Sequence, residues 1–228
     1  MCVEERWTER WALPSAHKLL PLRCLAMTAA GSHYFDEEPT TDSSPRDVLL
    51  SLPDMQLALT TDRGVFGYDR VDSGTKLLLL HAPVPNANGN LLDIGCGTGA
   101  IALTMARRSP AATVWAIDVN ERARDLCRNN AERNSITNIT VCAPDEVPAD
   151  ITLDTIWSNP AIRIGKPALH GMLLRWFGQL SPEGTAVLVV HKHLGSDSLQ
   201  TWLGTQCYPT TRLASSAGYR ILQARRAN

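Results

Sequence analysis

The sequence has no excess of charge of either sign and no long apolar run. Its 22 Lys and Arg residues nearly balance 23 Asp and Glu residues, for a formal net charge of −1. A chain this close to neutral has no global basic field, so nucleic-acid binding would need a local cationic patch. No apolar run approaches the roughly 20 residues of a membrane span. Internal repeats and low-complexity tracts are also absent.

Paired cysteines are missing as well. The six cysteines contain no C-x-x-C pair, and they are Cys2, Cys24, Cys96, Cys127, Cys142 and Cys207. This spacing argues against a disulfide framework or a zinc site, and it indicates free thiols of a cytoplasmic protein. His191 and His193 have no cysteine or carboxylate at ligand spacing, so we predict no metal.

The first 35 residues differ from the rest of the chain. The segment HKLLPLRCLAMTAAG faintly resembles a secretory signal peptide, but Arg23 interrupts its apolar part and Pro21 breaks any helix. We therefore interpret residues 1–35 as an N-terminal extension that is either disordered or mis-annotated, with Met27 as an alternative start. Residues 36–228 are long enough for one sizeable domain.

From residue 90 onward, short apolar strands alternate with helices. The predicted strands are Leu91–Ile94, Thr113–Ile117, Ile139–Cys142, Thr152–Trp157 and Thr185–His191. The predicted helices are Ala100–Arg108, Glu121–Asn134 and Pro167–Leu180. This alternation predicts an α/β fold in which helices cover both faces of a parallel sheet.

The two ends of this domain have a different pattern. Residues 209–225 predict two strands joined near Ser216-Ala217-Gly218, an antiparallel hairpin that closes the sheet. Residues 47–66 alternate apolar and polar side chains and predict a β-hairpin or two short edge strands. A short helix capped by Ser73 follows.

The stretch LLDIGCGTGAIAL joins the first strand of the alternating region to its helix. Gly95, Gly97 and Gly99 permit a tight turn whose backbone N–H groups can approach a ligand. Asp118 ends the next strand, about twenty residues on, where a carboxylate can bind both hydroxyls of a ribose. The pattern predicts a nucleoside-containing cofactor.

Two cofactor classes fit this loop. The spacing Gly95-x-Gly97-x-x-Ala100 satisfies the dinucleotide fingerprint, as in an NAD enzyme. Asp93 favours S-adenosylmethionine (SAM), because a carboxylate would repel a pyrophosphate but can bind the ammonium of SAM directly or through water. The third alternative is that the loop binds no cofactor. Asp93 would then be only an acidic residue near a helix N-terminus, and the glycines would only permit a tight turn.

These features resemble the class I SAM-dependent methyltransferases over residues 45–225. The resemblance implies SAM as cofactor and a Rossmann-like, seven-stranded, mostly parallel sheet with a C-terminal antiparallel hairpin, extended here by the small N-terminal β-hairpin. The cofactor-binding residues it implies are Asp93, Gly95, Gly97, Gly99, Asp118, Val119 and Asp145. Asp145 would lie near the adenine amino group; the alternative for it is a solvated loop acid.

Asn159 and Pro160 end the fourth strand, where N-methyltransferases of this superfamily carry [Asn/Asp]-Pro-Pro-aromatic. The Asn159 side-chain oxygen and the Pro160 carbonyl can accept the two N–H groups of a delocalised amino nitrogen. That orients the lone pair toward the methyl group and stabilises the positive charge that develops. The sequence contains no Pro-Cys pair, the pattern that would indicate covalent catalysis by a cysteine.

The second half of this motif departs from the family pattern. Ile162 replaces the aromatic residue whose stacking on a base contributes about 1–3 kcal/mol. We expect Ile162 to bind the substrate through apolar contact with a ring face, although it offers less of this contact than an aromatic residue. Phe66 is a candidate to supply that stacking, its alternative being packing of the hairpin on the sheet. Ala161 replaces the second proline and leaves the loop less preorganised. A SAM-binding protein with a degenerate catalytic motif is therefore an alternative.

The flanking segments LTTDRGVFGYDRVDSGTKLLL and SNPAIRIGK are similar to the small-subunit (16S) rRNA guanine-N2 methyltransferases, in their single-domain form. The resemblance implies guanine N2 as the target, rRNA or the small ribosomal subunit as the partner, and a monomer or homodimer. Arg163 and Lys166 are candidates to contact RNA phosphates. Further cations of the same rim are Arg63, Arg70, Lys76, Lys192 and His193. The alternative substrate is a protein amide or a small molecule.

Overall fold

The computed structural model describes residues 41–227, apart from the side chain of Arg163. The expectations for residues 1–35 and for a start at Met27 lie outside the described residues. The strands of the described part are β1 (Arg46–Ser51), β2 (Gln56–Thr61), β3 (Asn88–Ile94), β4 (Ala111–Ile117), β5 (Ile139–Cys142), β6 (Leu153–Ser158), β7 (Leu180–His191), β8 (Thr210–Ser216) and β9 (Tyr219–Arg225). Its α-helices are α1 (Ser73–His81), α2 (Ala100–Arg108), α3 (Glu121–Arg133), α4 (Lys166–Phe177) and α5 (Ser196–Thr205).

Seven strands form one sheet in the order β5-β4-β3-β6-β7-β9-β8. Strands β3 to β7 pair in parallel, whereas β9 is antiparallel to both β7 and β8. The predicted mostly parallel sheet with a terminal hairpin is confirmed. The order of the strands reverses at β3: β4 and β5 lie on one side of it, and β6 and β7 lie on the other. In open α/β sheets, ligands bind at the carboxyl ends of strands beside such a reversal.

The sheet separates two apolar layers, because successive side chains of a strand point to opposite faces. Leu91 and Trp157 are buried with helices α1 and α2 on one face. Leu92 and Ile156, their chain neighbours, are buried with α4 and α5 on the other. Because helices cover both faces of the sheet, these strands appear in the sequence as continuous apolar runs. No helix of residues 41–227 has the length and apolarity to span a bilayer.

Strands β1 and β2 form the predicted N-terminal hairpin as a separate two-stranded sheet. The free edge of β2 is covered, because the Asn130 side chain of α3 binds both backbone groups of Thr60, at 2.7 and 2.8 Å. Asn134 does the same for Ala58, at 3.1 and 2.8 Å. The hairpin is thereby fixed to the helix that follows β4.

Two local predictions were wrong, and one helix was not predicted. The residue that caps α1 is Asp72, not Ser73, since the Asp72 carboxylate accepts the N–H groups of Gly74 and Thr75. Helix α4 ends at Phe177, before the predicted Leu180, because β7 already begins there. Helix α5 was not predicted, since Leu199 and Leu203 are its only buried apolar residues and so give little periodicity.

Candidate cofactor and substrate site

The glycine loop leaves the carboxyl end of β3 with three residues in the left-handed region. Gly95, Gly97 and Gly99 have φ angles of 76°, 51° and 89°. A Cβ on Gly95 or Gly97 would meet no atom within 4 Å, so this part of the loop borders open space. A Cβ on Gly99 would lie 2.8 Å from the sulfur of Cys127. Gly99 therefore serves packing against α3, whereas the first two glycines leave room for a ligand.

Asp93 is buried directly beneath this loop. Its Oδ2 accepts the N–H of Ala102 at 3.0 Å, whereas Oδ1 has no partner among the described residues. Burial raises the pKa of Asp93 to about 8, and the nearby charge of Asp118 adds to this effect. A buried carboxylate with an unpartnered oxygen suits a cationic ligand group.

Asp118 follows β4 at the same edge of the sheet. Its two oxygens accept the N–H groups of Gly97 at 2.9 Å and Asn120 at 3.0 Å. Burial raises the pKa of Asp118, although these N–H groups oppose the shift. Each carboxylate oxygen keeps a further lone pair, so two ribose hydroxyls can still bind. Val119 beside it is 46% exposed and offers an apolar surface.

Asp145 lies in the 3₁₀ turn Pro144–Glu146 that follows β5. Its side chain is 91% exposed and pairs with Arg175 at 2.8 Å. The predicted contact of Asp145 with the adenine amino group stays a prediction.

Ser158 and Asn159 carry the substrate motif beyond β6. The Ser158 hydroxyl donates to the carbonyl of Ile94 at 2.7 Å, which ties the end of β6 to the end of β3. Asn159 thus follows β6 beside the point where the glycine loop follows β3. Its amide nitrogen donates to Asp72 Oδ2 and to Thr75 Oγ1, each at 3.0 Å. Both amide hydrogens are used, and within residues 41–227 no donor contacts Oδ1.

Ala161 has φ −69° and ψ 73°, an inverse γ-turn in which Ile162 N–H donates to the Pro160 carbonyl at 2.8 Å. This φ lies within the range that a proline imposes. A proline at position 161 would therefore be compatible with the φ angle that Ala161 already adopts. One lone pair of the Pro160 carbonyl is used in the turn, and the other stays available. Ile162 packs against the apolar layer of α4 and α5.

The loop between β2 and α1 reaches the same edge of the sheet. Val65 is buried against Ala123 and Leu126 of α3, and the carbonyl of Gly64 accepts the side-chain N–H of Asn120 at 2.9 Å. Phe66 follows with half of its surface exposed. Its proposed stacking on a base stays a prediction.

The cationic rim is partly described. Lys166 is exposed at the start of α4, and Lys192 begins the 3₁₀ turn after β7. The side chain of Arg163 lies outside the described part. Within residues 41–227, several cations of the rim form no ion pair: Arg63, Arg70, Lys76, Lys166 and Lys192.

Sequence reasoning missed Asp72 and Thr75 as members of the site. Their pattern, Asp-Ser-Gly-Thr, signals only a helix start. Asp72 lies 87 positions before Asn159, and the fold alone brings the two side chains together.

A glycine loop at the topological reversal, a carboxylate after the next strand and an Asn-Pro pair after β6 together define a Rossmann-like SAM-dependent methyltransferase. Residues 56–223 match the family model of the methyltransferase small domain, and the chain belongs to this family. Its cofactor is S-adenosylmethionine, and the dinucleotide alternative is set aside. The residues present fit this cofactor, because Asp93 offers an unpartnered oxygen and open space borders Gly95 and Gly97.

Several curated proteins are similar to the chain. The uncharacterized protein YbxB of Bacillus subtilis is 33% identical over 197 residues, which cover 85% of this chain and 98% of that protein. The ribosomal RNA small subunit methyltransferase C of Pseudomonas aeruginosa is 32% identical over 197 residues, covering 83% of this chain and 57% of that one. The chain thus spans little more than half of the methyltransferase C relative.

Solved structures agree on the fold. A T. thermophilus 16S rRNA N2-guanine methyltransferase in complex with AdoMet and guanosine superimposes with a TM-score of 0.66 at 21% identity, covering 82% of this chain and 52% of that chain. A methyltransferase from Pyrococcus furiosus gives 0.56 at 22% identity, covering 68% and 82%.

Proposed function

We propose that the chain methylates the exocyclic N2 of a guanine in small-subunit rRNA. The observation that carries this proposal is Asn159, set beside the glycine loop by the Ser158–Ile94 hydrogen bond, with its side-chain oxygen left to accept a hydrogen bond. An amide oxygen in that place suits an amino nitrogen that must present N–H groups to the protein.

The residues of the chain perform three tasks in this reaction. Asn159 Oδ1 and the Pro160 carbonyl accept the two N–H groups and so hold the nitrogen lone pair in line for transfer. The same oxygens stabilise the positive charge that develops on the nitrogen. Asp93 would hold the ammonium of SAM, directly or through water, and Asp118 would hold its ribose hydroxyls; when bound, SAM would supply an electrophilic methyl group. The proton leaves to water after transfer, so no strong general base is needed.

The guanine and rRNA assignments have two supports. Two curated relatives named ribosomal RNA small subunit methyltransferase C, from Shewanella loihica and Pseudomonas aeruginosa, match over about four-fifths of this chain, at 28% and 32% identity. Lys166 and Lys192, which form no ion pair among residues 41–227, follow strands β6 and β7 at the carboxyl side of the sheet, where phosphates of an RNA could bind. We also propose that residues 36–228 act as one cytoplasmic methyltransferase domain, as a monomer or homodimer, on rRNA or the small subunit.

Transfer of a labelled methyl group tests this proposal. The protein is incubated with tritiated SAM and either small ribosomal subunits or naked rRNA from cells that lack the modification. We expect label in N2-methylguanosine after nuclease digestion and chromatography. Label on a protein amide or a small amine instead would overturn the rRNA assignment. SAM binding without transfer to any of these acceptors would support the degenerate alternative.

A further inference from the structure

Asp72 joins the start of α1 to the substrate motif. Its Oδ2 accepts the backbone N–H groups of Gly74 at 2.8 Å and Thr75 at 3.1 Å, and it also accepts the amide N–H of Asn159 at 3.0 Å. One carboxylate oxygen therefore caps a helix and holds the side chain that faces the substrate.

This contact has a direction, because a carboxylate can only accept. The two ends of an asparagine amide have nearly the same shape but opposite hydrogen-bonding character. If the Asn159 amide turned by 180°, its oxygen would face Asp72 and its NH₂ group would face the N–H groups of the substrate. Both new contacts would be repulsive. The Thr75 hydroxyl can donate as well as accept, so it does not select an orientation by itself.

Asp72 is itself held in place from two sides. The first N–H groups of α1 bind its carboxylate, and a helix N-terminus favours negative charge. Tyr219, at the start of β9, packs against the same turn, where a Cβ on Gly74 would lie 2.7 Å from Tyr219 Cε1 and 2.9 Å from Asp72 Oδ2. A glycine at position 74 is therefore required for this close packing.

We propose that Asp72 is a positioning residue that fixes the orientation of the Asn159 amide, so that its oxygen faces the methyl-accepting nitrogen. The role in catalysis rests on the proposed function, whereas the orientation itself does not. In this proposal Asp72 acts through Asn159 and is assigned no contact of its own with substrate or cofactor.

Two substitutions at position 72 separate positioning from helix capping. Asp72→Ser keeps a good N-cap, and we expect its shorter side chain to lose the contact with Asn159. Asp72→Asn keeps both the cap and an acceptor oxygen. If Asp72 only capped α1, both variants would behave like the wild type once corrected for the folded fraction.

The direct readout is the side-chain amide of Asn159 in ¹⁵N-labelled protein without substrate, assigned by comparison with Asn159→Ala. We expect the two amide hydrogens to exchange slowly with solvent in the wild type. In Asp72→Ser they should exchange at least about 10-fold faster, because the loss of the hydrogen bond to residue 72 exposes them. Asp72→Asn should retain slow exchange. Equal protection in all three proteins would overturn the proposal, whether or not rRNA is the substrate.

Methyl transfer gives the second readout. We expect kcat of Asp72→Ser to fall at least about 10-fold, because misorientation of a reacting group is costly, while KM for SAM stays unchanged. Asp72→Asn should retain most of the wild-type kcat. An unchanged kcat in Asp72→Ser would contradict the positioning role. Absence of transfer by the wild type would instead refute the proposed function and leave the exchange experiment decisive.

A rescue experiment tests whether Asp72 acts through residue 159. Asn159→Asp keeps an acceptor for the substrate but sets a second carboxylate against Asp72, so activity and melting temperature should fall. Adding Asp72→Asn removes this repulsion and should restore both. Failure of the second substitution to raise either quantity would contradict direct coupling of the two side chains.

Discussion

Ala161 has the backbone angle of a proline without being one. Its φ of −69° matches the ring-imposed value, and within residues 41–227 its N–H donates no hydrogen bond that a proline would remove. The departure from the usual motif therefore affects the unfolded chain more than the folded loop. Asn159 and Asp72 retain the contacts that set the amide orientation.

From this geometry we expect Ala161→Pro to increase the free energy of unfolding by about 0.4–1 kcal/mol, through a lower entropy of the unfolded state. Urea denaturation measures the change, and Ala161→Gly is the matched control that should lower stability. A destabilised proline variant would show that the loop does not tolerate the ring.

We expect Asp93 to make the stability of the protein without cofactor depend on pH. Because its pKa is raised from 3.8 to about 8, the folded state binds more protons than the unfolded state between these values. The free energy of unfolding contributed by this group therefore falls as pH rises through that interval. Asp118, whose pKa is also raised by burial, acts in the same direction.

Asp93→Asn should flatten this dependence. We expect the melting temperature of the wild type relative to that of Asp93→Asn to decrease from pH 5 to pH 8, as the pKa values of about 4 and 8 require. Differential scanning fluorimetry across this range tests the expectation. A difference that does not change with pH would contradict a raised pKa for Asp93.

At the scale of elements, helix α3 connects the β1–β2 hairpin to the glycine loop. The buried Asn130 side chain binds both backbone groups of Thr60 in β2 and donates to the carbonyl of Thr98 in the glycine loop at 2.9 Å. One side chain thus links a two-stranded sheet, a helix and the glycine loop.

Asn130→Ala should lower the free energy of unfolding by at least about 1–3 kcal/mol, because it leaves buried backbone groups without partners. It should also weaken SAM binding, since the Thr98 end of the loop loses its anchor. Asn129→Ala, which changes an exposed side chain on the same helix, is the control. Urea denaturation and calorimetric titration with SAM measure both effects. If the two variants were equally stable, the link through Asn130 would be disproved.

The central elements were predictable from the sequence, because apolar runs bounded by turns specify buried strands. Helix Ala100–Arg108 and strand Ile139–Cys142 were predicted with the bounds that the structure has. Helix α5 was not, because only two of its apolar residues face the core. The contact between Asp72 and Asn159 was also beyond prediction, since local patterns carry no information on side chains that only the fold brings together.

At the scale of the whole molecule, strand order explains where the site forms. The reversal at β3 places the carboxyl ends of β3, β4 and β6 side by side, each followed by a loop with polar groups. The glycine loop follows β3, Asp118 lies in the loop after β4, and Asn159 lies in the loop after β6. A chain with a net charge of −1 can present cations there only as a local rim, and Lys166 and Lys192 stand on that side.

The most direct test of the account is a comparison of SAM affinity and methyl transfer in the wild type and Asn159→Ala. Asn159 is assigned to the methyl-accepting nitrogen and not to the cofactor, so the dissociation constant for SAM should stay the same. Transfer to small-subunit rRNA should fall by an amount equivalent to at least about 3 kcal/mol, that is, more than about 100-fold. Unchanged transfer by Asn159→Ala would contradict the central claim.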